Sequence, residues 1–108
     1  MAIQWGRFTQ PDGRDHSQIQ ISVQSDRLLF DQVARTLEVG LSGIWTDKLE
    51  GPDERYWDLV VRRGRLTLHL QHYLGITLYP TAGADADTES LDLLQRAYDL
   101  LASQVAGC

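Results

Sequence analysis

Apolar and polar residues alternate along residues 17–24, where Ile19, Ile21 and Val23 stand between Gln18, Gln20, Ser22 and Gln24. A period of two sends the two sets to opposite faces of a strand, one buried and one wet. Residues 3–8 predict a strand before it, and Pro11, Asp12, Gly13, Arg14 and Asp15 supply turn chemistry between the two. The period then lengthens. Leu29, Phe30, Val33, Ala34 and Leu37 share one helical stripe, with Ser25 or Asp26 as N-cap and Gly40 at the expected left-handed C-cap. Residues 41–48 predict a third strand, and Glu50-Gly51-Pro52-Asp53 turns the chain. Residues 55–62 and 65–72 read as strands joined at Arg63-Gly64, and residues 76–80 as a last short one. A polar stretch over residues 83–87 leads to a final helix capped by Asp87 or Thr88, with Glu89 and Asp92 near its positive end. Its apolar stripe is Leu91, Leu94, Tyr98, Leu101 and Val105, widened by Leu93, Ala97 and Leu100.

The element order β-β-α-β-β-β-β-α predicts one α+β domain over residues 1–108. The helical crossover between the second and third strands favours parallel directions for those two, with the first strand between them, antiparallel to both. Numbered along the chain, the strands then lie in the order 2-1-3-4-5-6. The result is a two-layer sandwich: a six-stranded, mainly antiparallel sheet with both helices on one face and the other face open.

The C-terminal meander allows a register prediction. A two-residue loop at Arg63-Gly64 opposes Asp58 to His69, Trp57 to Leu70 and Tyr56 to Gln71, and apolar pairs alternate with polar ones. A one-residue slip would destroy that alternation. A three-residue loop at Tyr73-Leu74-Gly75 then opposes His69 to Tyr79 and uses Gly75 at a left-handed position. Asp58, His69 and Tyr79 form one row on the open face. Trp57 and Leu70 share the covered one. Trp5, Trp45 and Trp57 are assigned to packing, with Trp45 facing Trp57 and Asp47 facing Arg55.

Composition narrows the function. Apolar residues make up 43% of the 108 residues, which argues against a disordered chain. No apolar run approaches the ~20 residues that span a bilayer. Fifteen acidic residues against ten basic ones give a net charge of −5, a poor match to phosphate backbones or anionic membranes. Cys108 is the single cysteine, so no internal disulfide framework exists, and the expected compartment is the cytoplasm.

Asp58, His69 and Tyr79 are the candidate catalytic residues, because a carboxylate beside an imidazole fixes its tautomer and favours imidazolium. No nucleophile or oxyanion donor stands beside them, and a solvated cross-strand pair would look the same. Tyr56, Val60, Gln71, Tyr73 and Tyr79 are the candidate partner-binding residues, since tyrosine is enriched in interface hot spots. Arg62, Arg63 and Arg65 form a candidate anion-binding tip, guanidinium forks being suited to carboxylate and phosphate. His69 and His72 lie three apart, which on a strand sends them to opposite faces, so no metal site is expected. No phosphate-binding glycine loop or zinc-type cysteine pair is present, and no cofactor is expected. These features suggest a small acidic cytoplasmic protein-binding domain (adaptor, chaperone-like or immunity-type) using the open sheet face. The alternatives are an enzyme or ligand-binding domain built on Asp58, His69 and Tyr79, and a homodimer through the same face.

Overall fold

The structure is a computed structural model that describes residues 3–106. It contains β1 (Gln4–Thr9), β2 (Asp15–Ser22), α1 (Arg27–Leu41), β3 (Ile44–Glu50), β4 (Glu54–Val61), β5 (Gly64–Gln71), β6 (Gly75–Pro80), a 3-10 turn at Gly83–Asp85 and α2 (Thr88–Ala106). The six strands form one wholly antiparallel sheet, and both helices cover one face, the predicted two-layer α+β sandwich.

The strand order is corrected. It is β1-β2-β6-β5-β4-β3, not 2-1-3-4-5-6. β2 does not reach β3 through β1. It pairs with β6, and a register shift between Gln20 and Ser22 fits it to the shorter strand. The sheet therefore closes by joining its first hairpin to the end of the C-terminal meander.

The registers within the meander are corrected as well, each by two residues. The first hairpin turns at Arg62-Arg63, so that Val61 opposes Gly64, Asp58 opposes Thr67 and Tyr56 opposes His69. Arg62 takes the left-handed conformation there, φ 55°, which a hairpin turn demands at its first position. The second hairpin places Gln71 opposite Gly75, Thr67 opposite Tyr79 and His69 opposite Thr77. A shift of two preserves the face of every side chain. Trp57 thus remains on the helix side, now opposite Leu68.

The core follows the predicted stripes. Ile19, Ile21, Leu59, Leu66, Leu68, Ile76 and Leu78 from the sheet meet Phe30, Leu37, Leu94 and Leu101 from the helices, all fully or almost fully buried. Asp26 caps α1, accepting the N–H groups of Leu28 and Leu29 at 3.0 and 3.1 Å, and Asp87 caps α2 through the N–H of Ser90 at 2.9 Å. The C-cap of α1 is Ser42 at φ 55°, not Gly40. Gly40 lies inside the helix, where a Cβ would come within 2.3 Å of the Leu100 side chain, so the glycine lets the two helices approach. Leu91 is more exposed than its stripe implied, since α2 turns Leu93 inward instead.

Of the three tryptophans, Trp45 and Trp57 pack against the core with their rings edge-on at 5.8 Å. Trp45 opposes Leu59 in the sheet, and its indole donates to the Ala34 carbonyl at 3.2 Å. Trp5 departs from the core assignment: it lies on an edge strand, 41% exposed, stacked on Tyr98. Arg55 faces Glu50 rather than Asp47. Its Nη1 donates to Asp31 at 2.9 Å, and its Nε lies 3.0 Å from the Glu50 carboxylate without the alignment of a hydrogen bond. Cys108 and the side chain of Val105 lie outside the described residues. Among those residues no helix is long and apolar enough to cross a membrane.

Candidate functional site

The uncovered face of the sheet carries one ring from each of five adjacent strands. In sheet order these are Phe8 (β1), His16 (β2), Tyr79 (β6), His69 (β5) and Tyr56 (β4). Consecutive ring centroids are 5.3, 5.5, 6.1 and 4.0 Å apart. Phe8 opposes His16 and Tyr56 opposes His69 directly in the ladder. The twist of the sheet bends this row into the wall of a cleft of about 480 Å³, completed by Gln18, Gln20, Gln71, Thr77 and the Leu74-Gly75 turn. That volume falls within the ~300–1,000 Å³ typical of ligand pockets. Among the described residues, no Asp, Glu, Lys or Arg lines it.

Burial sets the electrostatics. Desolvation holds the imidazoles of His16 and His69 below the usual histidine range, against weaker opposite pulls from Asp15 and Glu54. Burial also pushes the Tyr79 phenol up to about 12, helped by Tyr56, Asp58 and Glu54, and raises Tyr56. Glu54 stands beside the row, two residues before Tyr56 on the same face of β4, accepting from the Tyr56 hydroxyl at 2.8 Å and the Gln71 amide at 3.0 Å. Nε2 of His16 and Nε2 of His69 are both buried and have no hydrogen-bond partner among the described residues.

The predicted Asp58–His69–Tyr79 row does not form. The two-residue shift puts Thr67 opposite both Asp58 and Tyr79. Asp58 accepts from the Thr67 hydroxyl at 2.8 Å, which in turn meets Thr81 at 2.9 Å. His69 keeps a long contact to Tyr79, 3.5 Å from Nδ1 to the hydroxyl, but lies flat on Tyr56, and its burial disfavours the imidazolium form. A carboxylate–imidazole relay is not built.

Among the other candidates, Tyr56, Gln71 and Tyr79 line the cleft, while Val60 lies on the same face nearer β3, opposite Ile44. Tyr73 stands in the β5–β6 turn, 89% exposed, with His72 beside it. The arginine tip is divided. Arg62 and Arg63 are exposed in the turn, whereas Arg65 faces Val60 and lies 4.0 Å from the Asp47 carboxylate. No group of three metal-ligating side chains occurs among the described residues.

Sequence reasoning missed Phe8, His16, Gln18 and Gln20. The signal was present: pairing across the first turn opposes Phe8 to His16 and Gly6 to Gln18. Compared with family models, curated proteins and solved structures, the chain matches none.

Proposed function

We propose that this chain is a small-ligand-binding domain whose ligand seats in the cleft on the uncovered sheet face. The observation that carries the reading is the ring row: five strands each supply one ring to a single uncharged, concave wall. Solvent-facing sheet surfaces are usually polar and charged, so a half-buried aromatic cleft is a cost in solubility that a ligand offsets. The single-cysteine composition supports placing the domain in the reducing cytoplasm. Neither asymmetry of roles nor a nucleophile beside the imidazoles supports a reaction step here.

The test is a fragment screen by two-dimensional NMR on labelled protein. Hits should shift the signals of His16, Gln18, Gln20, His69 and Thr77, and Tyr79→Ala should weaken them at least fivefold. Hits that cluster on another surface, or that bind Tyr79→Ala as tightly, would overturn the reading.

A second reading, a protein partner, is favoured by the rim. Leu49, Tyr73 and Leu74 are 66, 89 and 59% exposed. Such a patch suits an interface, with a partner or with a second copy of the chain. Light scattering at rising concentration and Leu49→Glu separate these cases: a dimer through this face is lost in the variant, whereas ligand binding in the cleft is kept.

A further inference from the structure

We infer that the cleft selects an uncharged ligand that presents an N–H or O–H donor to Nε2 of His16, an inference that rests on the ligand-cleft reading above. The argument begins outside the cleft, at Gln10. Its amide orientation is fixed from both ends: Oε1 accepts the backbone N–H of Ala84 at 2.7 Å, and Nε2 reaches the Asp12 carboxylate at 3.2 and 3.4 Å. Asp12 is itself held by Arg14, which bridges on to Asp85 beside the same 3-10 turn. Oε1 also lies 3.2 Å from Nδ1 of His16. A carbonyl oxygen only accepts, so Nδ1 must carry the proton. In a neutral imidazole the other nitrogen is then a bare lone pair. Among the described residues, Nε2 of His16 is therefore a buried acceptor without a donor, held in a fixed tautomer by the same brace that ties the β1–β2 turn to the 3-10 turn.

An unpaired buried acceptor is costly, and a ligand donor that displaces the side chains now covering Nε2 recovers that cost. The charge of the ligand follows from its surroundings. Among the described residues, no base lines the cleft to meet an anion. A cation would leave water with no carboxylate in the lining to meet it, since Glu54 and Asp58 are engaged by Tyr56, Gln71 and Thr67, among rings whose burial disfavours a charge on both histidines. An uncharged ring system with one polar hydrogen meets every wall.

Four probes with a shared ring test this: indole, 1-methylindole, tryptamine and indole-3-carboxylate, titrated into the full chain at pH 7.5 with ¹⁵N detection of the histidine rings. Before any addition, His16 should show a protonated Nδ1 and a bare Nε2. Indole should shift Nε2 of His16. 1-Methylindole, which lacks the donor, should bind about three- to tenfold more weakly, the net worth of one hydrogen bond. Both charged probes should also bind more weakly than indole. His16→Phe keeps a ring in the row but should bring indole and 1-methylindole to equal affinity. Equal affinity in the unaltered chain, the opposite tautomer, or a charged probe binding tightest would overturn the inference and leave the cleft standing. If none of the four shifts a cleft residue, the ligand-cleft reading falls with it.

Discussion

The imidazole of His69 lies flat on the phenol ring of Tyr56, with 4.0 Å between centroids and 20° between planes. The acid nearest this pair in effect is Glu54, which binds the Tyr56 hydroxyl, whereas Asp58 is taken up by Thr67. Removing Glu54's charge should therefore lower the His69 titration midpoint, because its pull toward imidazolium is gone. Glu54→Gln should show that fall by NMR titration, and Asp58→Asn should leave the midpoint unchanged. A drop of similar size in both variants would mean that Asp58 acts on His69 after all.

Stability should fall on mild acidification. His16 and His69 are held below the free-histidine value of 6.5 in the folded chain. The unfolded chain then binds more protons than the folded one as pH drops below about 6.5. The stability due to their neutral burial is complete above that pH and is lost progressively below it, until the folded-state values are passed. Urea melts between pH 7.5 and 5.5 should show the decline, and the His16→Phe, His69→Phe double variant should flatten it. The lowered carboxyls of Asp12, Asp85 and Asp87 act in a separate, more acidic window, below their ordinary value of 3.8.

Core and edge aromatics should differ in cost. Phe30 is fully buried and meets Trp57 edge-on at 5.1 Å. Phe30→Ala should lose about 3–5 kcal/mol in urea melts. Trp57→Ala should lose about 3 kcal/mol, at the low end of that range, because the ring is only partly buried beneath Lys48 and Arg55. Trp5→Ala should cost less than either.

Gly75 and Gly13 separate strain from contact. Both are left-handed, at φ 86° and 87°. A Cβ on Gly75 would fall 2.0 Å from the Ser22 carbonyl oxygen, whereas one on Gly13 meets nothing within 4 Å. Gly13→Ala should cost about 1 kcal/mol, the conformational term alone. Gly75→Ala must also push β2 away from β6 and should cost at least about 3 kcal/mol, the upper end for a strained residue. Equal losses would show that β2 yields freely at this contact.

Faces were legible in the sequence and distances were not. Alternation fixed which side of the sheet Trp57, Leu59, Tyr56 and His69 occupy, since parity survives any even slip. The slip of two came from the loops. Arg62 in a left-handed turn is an unusual choice, and Arg63-Gly64 is the more ordinary reading of the same residues. The strand order failed for another reason: the β2–β6 contact joins residues more than fifty positions apart, and local pattern carries no trace of such a pairing. The ring row depends on that order. Tyr56, His69 and Tyr79 were visible as neighbours within the meander, but Phe8 and His16 join them only across the β2–β6 seam.

That seam orders events in time. β3 to β6 can form from contacts between sequence neighbours, while β2 must travel the length of the chain to reach Thr77 and Leu78. Closing so long a loop costs entropy before any contact repays it. The cleft has Gln18 and Gln20 on one side of the seam and Thr77 and Tyr79 on the other. It exists only where the two parts of the sheet have joined, and it spans the seam between the first twenty residues of the chain and the last strand.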